Sequence, residues 1–272
     1  MTFLKKLFDF YLNASIHVAL AVFSFVKITE FYFDLEHSQN LNYFIFFATI
    51  TGYNFVKYFG IAKFHHRSLT NDLKIIQIFS FLCFLLMCFY GFKLSIKTLF
   101  LIAGFGLLTV LYAIPFLSGF QKNLRNISYL KIVVVALVWA GVTVVVPIFD
   151  SYDIVEYQKI SLVFLQRFLL VCVLILPFDI RDIKYDAISL QTIPRKIGIQ
   201  NTKKLGFVLM LFALVIEFLI STNNISKNIF LAFSLLLMLF LMRAKENQSK
   251  YYSSFWVESL PIFWWILLMI TI

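Results

Sequence analysis

The chemistry in this sequence gathers in one stretch, LPFDIRDIKYDAISLQTIPRKIG at 176–198. Asp179, Asp182 and Asp186 are spaced i, i+3, i+7, so on a helix all three share one stripe. Carboxylates this close favour one another's protonation unless a cation sits among them. Two aspartates four residues apart, Asp182 and Asp186, completed by water and phosphate oxygens, match the hard-oxygen coordination of Mg2+. Arg181 and Lys184 flank the stripe within reach of phosphate oxygens. The plainer alternative is a solvated, charge-balanced helix end in which the aspartates pair with these two cations.

The elements that must position the stripe are membrane spans. Of 272 residues, 61% are hydrophobic and 14% charged, with a mean hydropathy of +0.87. Soluble domains carry about 45–50% apolar and about 25% charged residues, so a single water-soluble globule is excluded. Apolar stretches near the roughly 20 residues needed to cross a bilayer recur nine times. They lie near 9–29, 41–61, 75–92, 97–118, 129–149, 157–178, 204–221, 228–242 and 253–272. They do not alternate as barrel strands would, and Asn, Gly and Pro punctuate their ends. The sequence predicts an all-α integral membrane protein, one polytopic domain over 1–272. The start, MTFLKKLFDF, does not read as a cleavable signal, because Asp9 interrupts it and no small-residue cleavage site follows.

The formal net charge of +10 points to nucleic acid only until the basic residues are placed. With the N-terminus inside, seventeen of them fall in cytoplasmic segments and four in outer loops. That positive-inside bias puts the N-terminus in the cytoplasm and, with nine spans, the C-terminus outside. The expected membrane is a bacterial inner membrane, with no nucleic acid and no obligatory protein partner. Cys83, Cys88 and Cys172 sit inside apolar runs without ligand spacing and read as packing residues.

Nine spans with an Arg-Asp-x-x-x-Asp stripe leaving the sixth resemble the UbiA-type membrane prenyltransferase superfamily. Arg181-Asp182…Asp186…Thr192-Ile-Pro…Ile197-Gly198 is similar to the second aspartate motif of that family, notably its menaquinone-pathway branch. Tyr112-Ala-Ile-Pro115, followed by Lys122 and Arg125, is similar to the family's Tyr-x-x-Pro and basic residues after span 4. The resemblance implies Mg2+-assisted transfer of a polyprenyl group from its diphosphate to a lipophilic, often aromatic, acceptor. It implies a site at the cytoplasmic ends of spans 2 and 6. Asp182 and Asp186 would hold the metal, with Asp179 as a third ligand or behind them. Arg181, Lys184, Lys122 and Arg125 would contact the diphosphate.

The first aspartate motif of the family is degenerate here. Its Asn is present as Asn54, but the three aspartate positions are Phe55, Tyr58 and Ala62. One Mg2+ rather than two is therefore expected. Lys57 lies one turn from Asn54, beside Tyr58, and an ammonium there neutralises diphosphate as a metal would. On this reading Lys57 takes part in catalysis, while Asn54 and Tyr58 bind substrate. The alternative is a catalytically inactive relative that binds isoprenoid lipids, with Lys57 pairing with Asp182 or snorkelling to the interface.

Other residues carry less. His65 and His66, among Lys63 and Arg67, lack the further ligands a metal needs and read as a solvated loop with a minor claim to phosphate. Arg167, in the middle of span 6, must face the bundle interior and find polar partners there. Glu217 reads as a capping or pairing residue, and Glu258 draws notice only for its depth.

Overall fold

The computed structural model describes residues 3–64, 71–113, 130–151, 156–184, 192–221 and 223–271, with the backbone alone for 59–64. Among these residues the chain is helical and has no strand. The helices are α1 (Phe3–Asn13), α2 (Ile16–Phe33), α3 (Gln39–Phe64), α4 (Asn71–Gly91), α5 (Ile96–Ala113), α6 (Leu130–Ala140), α7 (Val146–Ser151), α8 (Tyr157–Asp182), α9 (Ile193–Ile220), α10 (Asn224–Arg243) and α11 (Leu260–Thr271). A π-helical turn, Gly141–Val145, joins α6 to α7, and a second, Tyr252–Val257, leads towards α11.

Seven of these units are long and apolar enough to cross a membrane: α2, α4, α5, α6 with α7, α8, α10, and the segment ending in α11. The helices α3 and α9, of 26 and 28 residues, carry more polar side chains and pack among the seven. Among the described residues many large apolar side chains face outward, as Phe81, Phe100, Leu107, Phe212 and Met269 illustrate. This is the pattern of a bundle solvated by lipid.

One boundary departs from the apolar pattern. The first stretch, expected as a single span near 9–29, is broken between α1 and α2 by Ser15, which adopts φ 63° in the left-handed region. A polar side chain tolerates that conformation better than the surrounding apolar residues would. Partners on α3 hold the break: the Asn54 amide donates to the Ala14 carbonyl at 3.0 Å, and Ser15 Oγ donates to Asn54 Oδ1 at 2.8 Å. As a result α1 is a separate helix from α2, with Phe3, Leu4 and Leu7 exposed and Leu12 buried.

The core runs along α2, α8, α10 and α11. Trp264 is fully buried against Phe25, Phe230 and Phe233, with ring centroids 4.9–6.2 Å apart. Arg167 stacks on the Phe25 ring at 4.1 Å and donates to the Phe25 carbonyl at 2.8 Å. Glu217 accepts from Tyr32 at 2.7 Å and Gln166 at 2.8 Å. Buried charge is thus hydrogen-bonded inside the bundle, away from lipid. Two glycines permit close approach: a Cβ at Gly141 would stand 2.1 Å from the Phe105 ring, and one at Gly206 would stand 2.4 Å from Leu241.

Candidate active site

A cavity of about 490 Å3 opens between α1, α3, α6, α8 and the α11 segment. Its depth is apolar and aromatic, with Tyr53, Tyr112, Trp139, Val171 and Leu174. Trp139 Nε1 donates to Tyr53 Oη at 2.8 Å, which fixes both rings. Four acidic side chains (Asp9, Asp179, Asp182, Glu258) and four basic ones (Lys57, Lys131, Arg181, Lys250) also line the walls. So dense a charge cluster at the end of a lipid-solvated bundle costs desolvation that packing alone does not require.

The α8 stripe supplies the centre of this cluster. Pro177 interrupts the hydrogen bonding of α8 one turn before the aspartates, and its carbonyl accepts from Gln248 Nε2 at 2.9 Å. Asp179, 1% exposed, accepts from Lys131 Nζ at 2.6 Å. Asp182 is gripped by its neighbour: Arg181 Nε and Nη2 donate to its two oxygens at 2.7 and 3.2 Å. Arg181 Nη1 reaches Ser253 Oγ at 3.2 Å, tying α8 to the second π-helical turn. Lys184 stands exposed past the end of α8.

Across the cavity, Lys57 lines the α3 wall and donates to Ser15 Oγ at 2.8 Å. Because Ser15 Oγ in turn donates to Asn54, the three residues form a chain, Lys57 to Ser15 to Asn54. Asn54 is buried and also donates to Ser80 Oγ at 2.7 Å. It therefore bears on the cavity by holding Ser15 and, through it, the Lys57 ammonium. Tyr58 Oη donates to the Asn13 carbonyl at 3.0 Å, closing the same corner. Asp186, Lys122, Arg125, His65, His66 and Arg67 lie outside the described residues.

α1 closes the remaining side. Phe8 packs on Tyr251 and Phe255 at 5.4 and 5.1 Å. Asp9 accepts from Lys250 at 2.6 Å and from Tyr251 Oη at 2.7 Å. The hydrogen bond from Lys250, followed by that from Tyr251, holds the Asp9 carboxyl below its ordinary value of 3.8 against the opposing effect of burial. The same pair raises Lys250 above its ordinary 10.5.

Four cavity residues were not among the candidates the sequence offered for the site: Asp9, Lys131, Lys250 and Glu258. Lys131 and Lys250 read in the sequence as two more cytoplasmic-side cations, and Asp9 as a break in an apolar run. Glu258 alone carried a signal, a carboxylate at depth in an apolar span.

No protein-family model matches the sequence, and no curated protein matches it. Solved structures match over nearly the whole length. A UbiA homologue from Archaeoglobus fulgidus bound to GPP and Mg2+ superposes with a TM-score of 0.64 at 11% identity, over 96% of this chain and 98% of that one. Its DMAPP- and Mg2+-bound form gives 0.62 at 12% identity, over 97% and 100%. The structure from a study of digeranylgeranylglyceryl phosphate synthase gives 0.52 at 14%, over 98% and 95%. The chain has the UbiA-type prenyltransferase fold. At these identities the likeness extends to the fold, and what the cavity does rests on its own residues.

Whether the UbiA-type cavity of this chain suits Mg2+ is a matter of donor chemistry. Among the described residues no three histidine, cysteine or carboxylate side chains are grouped to hold a metal. Asp179 and Asp182 present hard oxygens one turn apart on the cavity wall, their oxygens shared with Lys131 and Arg181. Asp182, the more accessible of the two, is the carboxylate that suits a cation taking its other ligands from water and phosphate, with the buried Asp179 behind it. With Phe55, Tyr58 and Ala62 on α3, the opposite wall contributes an ammonium where a second cation would need carboxylates.

Proposed function

We propose that this protein is a membrane-embedded prenyltransferase, moving a polyprenyl group from its diphosphate to a lipophilic acceptor with the help of one Mg2+. The observation that carries the reading is the pairing of Asp179 and Asp182 on α8 with the Lys57 ammonium on α3 in one cavity that has apolar and aromatic lining. The neighbours bound to GPP or DMAPP with Mg2+ support it through their shared fold.

In this reading Asp182 and Asp186 hold the cation, and Asp179, paired with Lys131, stands behind them. When bound, Mg2+ supplies charge neutralisation of the diphosphate leaving group. Lys57 and Arg181 bind the diphosphate oxygens from the α3 and α8 walls, and Lys184, Lys122 and Arg125 contribute further diphosphate contacts. Asn54 and Tyr58 position Lys57 and the corner it occupies. A diphosphate carries about three negative charges, so one divalent cation and one ammonium bring it near neutrality. Departure of pyrophosphate leaves an allylic cation, faced by Tyr53, Tyr112 and Trp139, whose π-faces stabilise positive charge. The apolar walls exclude water that would quench it.

The same reading places α3 and α9 across the membrane, giving nine spans, with the N-terminus cytoplasmic and the C-terminus outside. The whole of 1–272 forms one domain, in a bacterial inner membrane. A second reading, an inactive isoprenoid-binding relative, is favoured by one observation: Asp9, Asp179 and Asp182 already have cationic partners. Calorimetric titration with geranylgeranyl diphosphate, with and without Mg2+, separates the two by comparing wild type with Lys57→Ala. The transferase reading expects Mg2+-dependent binding that weakens about 10- to 100-fold in the variant, the value of a charge-assisted hydrogen bond. Diphosphate binding by neither protein, with tighter Mg2+ binding in Lys57→Ala, would leave the inactive relative standing.

A further inference from the structure

Four carboxylates face the cavity, and three of them are engaged: Asp9 by Lys250 and Tyr251, Asp179 by Lys131, and Asp182 by Arg181. Glu258 differs. No hydrogen-bond donor among the described residues reaches its carboxylate. It lines the cavity together with Ser254, Val257 and Pro261, which share one face of the α11 segment at i, i+3, i+4, i+7 spacing. Two cations act electrostatically on it, Lys57 of α3 and Arg181 of α8, and its own charge reaches Tyr11 of α1 and Tyr53 of α3. The opposite face of the segment is lipid-exposed, with Trp256 55% and Phe263 40% accessible. Glu258 thus stands on the wall between the cavity and lipid, facing the cations assigned to the diphosphate.

We infer that Glu258 is the proton acceptor of the transfer, and that the acceptor substrate is a hydroxylic lipid which loses its proton as it is alkylated. This rests on the transferase reading above. The C1–O bond of the prenyl diphosphate breaks and its electron pair leaves with pyrophosphate. A lone pair of the acceptor hydroxyl oxygen forms the new bond to C1. The hydroxyl proton passes to a Glu258 oxygen and from there to water at the cavity mouth. The three engaged carboxylates suit this role poorly, because each already shares its oxygens with a cationic donor. A neutral product also leaves no charge behind in a low-dielectric cavity, which is the energetic reason for a base here.

Glu258→Gln and Glu258→Asp test the inference with purified full-length protein, geranylgeranyl diphosphate, and two acceptor probes, a long-chain alcohol and a long-chain phenol. Three quantities are read: diphosphate affinity, scrambling of 18O between bridging and non-bridging positions without acceptor, and transfer to each probe. Glu258→Gln is expected to bind and scramble within about 3-fold of wild type while transfer falls by about 10²–10⁴, the range of general-base catalysis. Glu258→Asp is expected to recover part of the loss. Transfer by Glu258→Gln within 3-fold of wild type overturns the inference, as does a loss of scrambling as large as the loss of transfer. Wild type that scrambles yet alkylates neither probe refutes the hydroxylic acceptor while leaving the transferase reading intact. Wild type that neither binds nor scrambles removes the transferase reading, and the inference with it.

Discussion

The Lys131–Asp179 pair offers a sharp test of how this cavity is built. Lys131→Met removes the ammonium from a carboxylate that is 1% exposed and keeps most of the side-chain volume. Breaking a buried pair from one side costs about 3–5 kcal/mol, because the remaining charge has lost its compensation. Lys131 is one-fifth exposed, so water offsets part of this, and a loss near the lower end, about 3 kcal/mol, is expected. In the double variant Lys131→Met/Asp179→Leu the uncompensated charge is gone, and most of the loss should return. Because other groups also touch both residues, the double-mutant cycle isolates the pair term. The assay is thermal unfolding in detergent; about 2–4 °C per kcal/mol for chains of this size gives a fall of roughly 6–12 °C for the single variant. If Asp179 stands behind the cation site, Mg2+ should stabilise Lys131→Met more than wild type, since the cation would replace the lost ammonium. A single variant as stable as wild type, or a double variant no better than the single, would refute the assignment of Lys131 as the charge partner of Asp179.

Asp182→Asn should abolish Mg2+-dependent diphosphate binding while the protein still inserts and purifies, measured by titration beside a size-exclusion profile; unchanged binding would return the stripe to a solvated helix end. Gly141→Val should destabilise the bundle by about 1–3 kcal/mol through overpacking against Phe105, read as a lower unfolding temperature in detergent. The Asp9–Lys250 contact should add stability between about pH 4 and pH 10. Asp9, with its folded pKa depressed, loses the contribution as pH falls through that value, and Lys250, with its folded pKa raised, loses it as pH rises through its own. Comparing the pH dependence of unfolding in wild type and Asp9→Asn checks this: the gap between them should close as pH falls through the depressed Asp9 value, below its ordinary 3.8. With Cys83, Cys88 and Cys172 replaced, a membrane-impermeant thiol reagent applied to intact cells should label cysteine at 38 and miss it at 184 and 247; labelling at 184 would overturn the proposed orientation.

Legibility in the sequence followed how local each signal was. Asp179 and Asp182 share a stripe by helical spacing alone, so their common face could be read without a structure. Asn54 and Lys57 stood out as polar residues inside an apolar run. The partners were a different matter. Lys131 pairs with Asp179 across 48 residues of sequence, and nothing near Lys131 distinguishes it from the other cations between the apolar runs. Lys250 and Asp9 meet across 241 residues, from opposite ends of the chain. The break at Ser15 was hidden for the same reason. Apolar residues continue on both sides of it, and the groups that stabilise it, Asn54 and Lys57, come from α3. Neither π-helical turn has a composition of its own, and the contacts each makes are distant in sequence, Gly141 against the Phe105 ring and Ser253 accepting from Arg181. Arg167 was the opposite case. A guanidinium at that depth has no alternative to partners inside the bundle, and it finds Phe25 and Thr143 there.

The account stands or falls on whether this cavity breaks an allylic diphosphate. The most direct measurement is release of labelled pyrophosphate from geranylgeranyl diphosphate by the purified protein, with and without Mg2+, beside Asp182→Asn. The account predicts Mg2+-dependent release by wild type that falls at least 100-fold in the variant, since removing a metal ligand forfeits several kcal/mol of charge stabilisation. No release by wild type above that of Asp182→Asn, under conditions where the diphosphate binds, would contradict it.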